Sequence, residues 1–214
     1  TALRIPEHAG GVPAVPHVYV NRRGPERGND VVMDESGAVR LFVDYVAGLG
    51  HRSIAFIDGP PDVDTVHRRV RAARRVCAAR GIQLTVRHAE ATEDGGWKAT
   101  TRMLRHAALP TACGVGSLNQ LFGVMAALRG SGVGVPGEMS VVSFDEDECL
   151  AFLDVPVTSV TMPLAELGSA AVDALIARIE RRPAGDVMVR GPMSLLLRRS
   201  VSGPPKSTSA AARG

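Results

Sequence analysis

Apolar positions along this chain alternate between two patterns, and the alternation itself predicts a layered fold. Short runs at 53–57, 112–115 and 139–144 hold four to six mostly apolar residues and end on turn residues or charge. Runs of that length and flanking predict strands buried on both faces, as in a parallel sheet. Between them apolar residues recur every three or four positions. Val39, Phe42, Val43, Val46 and Leu49 form one such series, Val66, Val70, Ala73 and Cys77 a second, and Trp97, Thr100, Met103, Leu104 and Ala107 a third. These spacings predict helices through 39–49, 64–80 and 95–108, the third series facing inward, while Phe42, Val43 and Val46 of the first could serve either the core or a partner face; Ser117 caps a further helix over 118–128. Gly50 and Gly81 stand where C-terminal caps belong. Shorter strands are predicted at 17–20, 30–33, 84–86 and 158–161, and Asp34, Glu35 and Ser36 offer capping oxygens after the second of these.

Beyond residue 145 the pattern loosens. Pro163 suits the first turn of a helix running to 181, with Leu164, Leu167, Ala171, Leu175 and Ile179 inward. The segments 187–189 and 194–198 read as a closing strand pair. Residues 1–16 read as a lead-in loop and 203–214 as a disordered tail. Strands alternating with helices of this length imply right-handed βαβ units, so the fold class is α/β with parallel sheets.

The run 139–144 carries the main chemical signal, because it stops on Asp145, Glu146 and Asp147. In open α/β sheets ligands sit at the carboxyl ends of strands, where a carboxylate can accept from sugar-like hydroxyls or pair with an amine. An acidic loop that caps the next segment is the plainer reading of the same residues. Adjacent carboxylates on an extended segment point in different directions, which argues against a paired acid and base.

Gly114-Val115-Gly116 lies between a strand and a helix, yet Asn119 occupies the position where a dinucleotide fingerprint needs its last glycine. A backbone turn accounts for these glycines. There is no H-E-x-x-H, phosphate-binding loop, G-x-S-x-G or kinase signature, so no catalytic residue, metal ligand or cofactor is assigned.

Composition narrows the class further. The 214 residues are 45% hydrophobic, which is enough for a full core, and only 4% aromatic, so that core is aliphatic. A net charge of +3 is too slight to imply nucleic-acid binding, and the arginines between 68 and 75 read as a solvated helix face. Cys77, Cys113 and Cys149 are widely spaced and suit reduced thiols in a cytoplasmic protein. No apolar run approaches membrane-spanning length and no secretory segment is evident, so no membrane partner is expected.

Several separate motifs, in order, resemble the core of the LacI/GalR family of bacterial transcriptional repressors. They are Gly50-His51-Arg52-Ser53-Ile54-Ala55, Asp58-Gly59-Pro60, Pro110-Thr111-Ala112, the run from Val135-Pro136-Gly137-Glu138 to Asp145, Val157-Thr158-Ser159-Val160 and Leu167-Gly168. The resemblance covers about residues 12–200. It implies a periplasmic-binding-protein-like I fold, with two parallel-sheet lobes joined by three crossovers and a small effector between them. The crossovers would fall near 32–34, near Thr161 and near Gly191. The N-terminal lobe, incomplete here, would comprise 1–32 and 162–190, and the C-terminal lobe 33–161 and 191–202. Such proteins form homodimers and read operator DNA through a helix-turn-helix headpiece, which this sequence lacks.

By the same resemblance the effector would be met by Asp145, Arg69, Ser117, Asn21, Met162 and Val32, with Arg69 as a bidentate clamp. Departures from the family pattern reduce the polar contacts. Ser117-Leu118 replaces an Asn-Asp pair, Asn21 an aspartate and Met162 a polar residue, and a stacking aromatic used by some members falls near Ala91. The expected effector is therefore sugar-like or less polar, and a pocket that has lost its ligand is the competing reading. A solute-binding protein of an importer would share the fold and is the alternative function.

Overall fold

The computed structural model describes residues 15–205 apart from positions 26 and 107. In chain order it contains β1 (Tyr19–Val20), β2 (Asp30–Met33), α1 (Glu35–Gly48), β3 (Ser53–Asp58), α2 (Asp64–Ala79), β4 (Gln83–His88), α3 (Glu93–Leu104), β5 (Ala112–Val115) and α4 (Leu118–Gly130). β6 (Ser140–Ser143), a 3-10 turn (Glu148–Ala151), β7 (Thr158–Thr161), α5 (Leu164–Ile179), β8 (Val187–Val189) and β9 (Ser194–Leu196) follow.

The strands sort into two sheets. One is parallel throughout, in the order β1-β2-β8. The other runs β4-β3-β5-β6-β7-β9 and is parallel except for the last pair, where β7 and β9 are antiparallel. The two segments predicted to close the chain as a pair therefore belong to different sheets. Gly191 and Pro192 lie between them, where an extended crossing needs no ladder donors, and β8 completes the small sheet before β9 returns to the large one.

Strand alternation divides the large sheet's core in two. Ile54, Phe56, Ala112 and Val142 pack with α1 and α2, whereas Ala55, Ile57, Cys113, Val115 and Val141 pack with α3 and α4. On the first side Phe42, Phe56 and Phe144 meet with ring centroids 5.1–6.2 Å apart. On the other side α3 and α4 approach unusually closely through glycine. A Cβ on Gly123 would lie 1.9 Å from the Glu93 carbonyl oxygen, and one on Gly96 2.1 Å from that of Gln120.

That crossing explains one failed expectation. The contact line of α3 runs through Gly96, Thr100 and Met103, which rotates the neighbouring Trp97 outward, 43% exposed over Gly130. The helix also stops at Leu104, short of the predicted end, with Pro110 close ahead. On α5 only part of the predicted inward face is buried. Leu167 and Ala171 pack on Val31, Met33 and Val189, but Leu164 and Ile179 are exposed because strands of two to four residues are too short to cover both ends of a 16-residue helix.

The end of the described chain is held by His51, which is fully buried. Its Nε2 faces the Ser202 carbonyl oxygen at 2.8 Å and so must carry the proton, while Nδ1 meets the Thr111 hydroxyl at 2.8 Å. Burial pushes the ring's pKa below its usual value, against the Ser202 hydrogen bond. Most of the predicted tail, residues 206–214, and nearly all of the lead-in, residues 1–14, lie outside the described residues. Cys77 and Cys113 are buried thiols, pushed up by burial to about 11 and about 12.

Candidate effector cleft

The carboxyl ends of β3, β5 and β6 form one wall of a cleft, and the segment after β1 forms the other. Parallel strands bring their ends to one edge of the sheet, so Asp58, Gly116 and Asp145 become neighbours although 87 residues separate the first from the last. Asn21 and Arg22, arriving from the small sheet, face them across a cavity of about 340 Å³ that Arg69, Ser117 and Ala91 also line.

Arg69 sits at the bottom of this wall and is 9% exposed. Its Nε donates to Glu35 at 2.9 Å, and Nη1 donates to the Gly116 carbonyl at 2.9 Å and to the Asp58 carboxylate at 3.3 and 3.4 Å. The guanidinium also lies 5.3 Å from the centre of the Phe144 ring. Burial works against its charge, but Glu35 and Asp58 together outweigh burial and hold it well above its ordinary range. The Asp58 carboxyl is raised by burial, against the pull of Arg69 and of the Gly59 amide. The fork that the resemblance assigned to a ligand thus already braces three elements of the protein. The glycine at 116 is required by this packing, since a Cβ there would lie 2.0 Å from Asp58 Oδ1.

Asp145 is exposed at the end of β6, and its Oδ2 accepts the Leu118 amide at 2.9 Å. Ser117 is the N-cap of α4, accepting from the Gln120 amide at 3.3 Å. The three adjacent carboxylates do diverge. Glu146 turns to Arg198, whose Nη2 and Nη1 reach its two oxygens at 2.6 and 3.1 Å, and Asp147 accepts the Cys149 amide. Burial acts to raise Glu146, but the Arg198 and Ser159 hydrogen bonds prevail and leave it below the usual glutamate value.

Asn21 adopts a left-handed backbone conformation with φ of 54°, and its Oδ1 is buried without a partner among the described residues. Two other sequence-derived candidates do not line the cavity. Val32 lies within β2, 3% exposed, on the strand face opposite Val31 and Met33. Met162 packs against both the α1/α2 core and the α5 core, where it joins the two sheets. Conversely Asp58, Asp64 and Arg22 line the cleft without having been singled out. Asp58 repeats the signal of Asp145, a buried strand that stops on a carboxylate, and could have been found by it. Nothing in the sequence marks Glu35 as the buried partner of Arg69. Among the described residues no group of three His, Cys, Asp or Glu side chains could hold a metal ion, and no helix is long and apolar enough to cross a membrane.

Residues 43–201 match the family described as periplasmic binding protein-like domain. A LacI family transcriptional regulator from Mycobacterium smegmatis has a solved structure that is 30% identical, with a TM-score of 0.84 over 89% of this chain and 72% of that one. The chain belongs to the LacI/GalR family. Its α/β sheets are those of the family's periplasmic-binding-protein-like core, as the match to a dimeric Lac repressor with a C-terminal deletion also shows, at 25% identity, a TM-score of 0.80 and coverage of 89% and 70%. Among curated relatives, the ribose operon repressor of Escherichia coli K12 is 31% identical over 78% of this chain and 52% of its own length. The lactose operon repressor of the same strain is 26% identical over 91% and 54%. The chain thus spans about half the length of these relatives, which are transcriptional regulators rather than enzymes.

Proposed function

We propose that this chain is the effector-sensing and dimerisation core of a cytoplasmic transcriptional repressor. A small molecule held between the two sheets would shift the balance between two lobe arrangements, and the dimer would pass that shift to a helix-turn-helix headpiece of the family's kind on operator DNA. The lobes of this reading are 1–32 with 162–190 and 33–161 with 191–202, which agrees with β1, β2, β8 and α5 packing apart from the large sheet. No catalytic step and no cofactor belong to it, and the importer reading is set aside because the relatives are repressors.

The observation that carries the proposal is the shared cavity, in which Asn21 and Arg22 from the small sheet face Arg69, Ser117 and Asp145 from the large one. Its acceptors favour a ligand that donates hydrogen bonds. Asp145 Oδ1 takes no bond from the protein among the described residues, and neither does the buried Oδ1 of Asn21. Arg69 then acts mainly as a brace for the wall, and Ala91 leaves room where a flat ring could stack. A sugar-like or less polar effector fits this balance. A homodimer fits the α4 side of the large sheet, where Phe152 is 87% exposed and the adjoining Leu153 and Val155 line, with Phe122 and Met125 of α4, a hollow of about 580 Å³. A thermal-shift screen of sugars, polyols, nucleosides and amines tests the cleft, because a ligand that binds only the folded form raises its melting temperature. A complete lack of response to all four classes would count against an effector site.

A further inference from the structure

A second concavity, beside the cleft, collects arginines from two parts of the fold. Arg68, Arg71 and Arg75 follow one another along α2 at steps of three and four residues and share one helix face. Arg23 arrives from the segment between β1 and β2. Its backbone amide donates to the Asp64 carboxylate at 3.1 Å, which holds that segment on the first turn of α2. With Ser36 at the start of α1 these arginines line a niche of about 360 Å³, and Met33 and Met188 supply apolar surface.

The protein's own acceptors absorb only part of this charge. Arg68 donates Nε to Asp64 at 2.8 Å and Nη1 to the Met33 carbonyl at 2.9 Å, yet its Nη2 is buried with no partner among the described residues. Arg75 donates to the uncharged Ser36 hydroxyl at 2.5 Å. Neither Arg23 nor Arg71 has an ion-pair partner among the described residues. Asp34 and Glu35 line the niche as well, Asp34 accepting the Gly37 amide and Glu35 paired through Oε2 with Arg69, so the four arginines outnumber the carboxylates there. Glu35 Oε1 also lies at the niche, buried and without a partner among the described residues, which suits a ligand with a donor hydroxyl beside its anionic group.

We propose that this niche binds a small phosphate-bearing anion. Guanidinium forks that converge from different directions match a tetrahedral oxyanion better than a flat carboxylate, and phosphate offers enough oxygens to engage several at once. Occupancy ties the Arg23 segment to α2. Asn21 and Arg22 immediately precede Arg23, and Arg69 follows Arg68, so the anion fixes both walls of the neighbouring cleft. Anything bound there is coupled to it reciprocally.

Isothermal titration of the full chain with inorganic pyrophosphate tests the site, alongside sodium chloride at matched ionic strength. Arg71→Gln with Arg75→Gln is expected to weaken pyrophosphate binding at least about tenfold. Arg40→Gln with Arg74→Gln removes the same charge from exposed positions outside the niche and is expected to leave binding unchanged. A heat signal reproduced by chloride, binding retained in the first double variant, or equal loss in the second overturns the proposal. Should the first variant melt early, Arg23→Gln makes the same test from the opposite wall, and binding unaffected by it is equally decisive.

Discussion

The Asp145 carboxylate accepts the Leu118 amide at 2.9 Å, so the end of β6 caps the start of α4 while facing the cleft. One oxygen serves the fold and the other is open to a ligand. Asp145→Ala is expected to cost about 1 kcal/mol of stability through the lost cap and to abolish ligand binding. Asp145→Asn keeps an oxygen for Leu118 and should restore the melting temperature without restoring a tight ligand contact. Calorimetry with the ligand found by screening, beside thermal melts, separates the two effects. Unchanged binding in Asp145→Ala would remove this residue from the site.

Arg69 should matter even with no ligand present. Replacing it by Met leaves Glu35 and Asp58 buried without a counter-charge, at an expected cost of roughly 3–5 kcal/mol. Urea unfolding measures this directly. A loss below 1 kcal/mol would mean that the guanidinium does not brace the wall.

The crossing of α3 and α4 has no room for a methyl group. Gly123→Ala is expected to destabilise by roughly 1–3 kcal/mol or more, since the clash is with the backbone oxygen of Glu93 rather than with a side chain that can turn away. A melting temperature within a degree of the parent would contradict the close approach.

His51 should make stability sensitive to mild acid. Its folded pKa lies below the usual value of 6.5, so below about pH 6.5 the unfolded chain takes up a proton that the folded chain excludes. Its contribution is complete above that pH and is lost as pH falls toward the folded value. Denaturant midpoints between pH 7.5 and 5 should decline in the parent and decline less in His51→Asn.

Phe152 tests the assembly. Phe152→Glu places a charge on the exposed apolar surface beside α4 and is expected to convert a dimer to a monomer in light scattering, with the far-ultraviolet circular dichroism unchanged. A dimer of undiminished affinity would move the interface elsewhere.

Much of the layering was legible before any coordinates. The runs at 53–57, 112–115 and 139–144 are apolar on consecutive residues because both faces of their strands are covered, and the helix between β2 and β3 announces an apolar face through Val39, Phe42, Val43 and Val46, which only the fold assigns to the core. Asp145 was visible for a related reason, a carboxylate placed where a buried strand reaches water.

The tertiary structure alone decided the partners. Whether β8 and β9 pair with each other depends on which sheet edge is open to each, and a local pattern does not encode that choice. Trp97 turns outward because Gly96 lies against the Gln120 backbone and Gly123 against that of Glu93, approaches between positions far apart in sequence. Arg69 is a structural brace because Glu35, on another helix, is buried beside it. Periodicity reports which face of an element is apolar, whereas charge pairing and close approach depend on what the folded chain brings opposite that face.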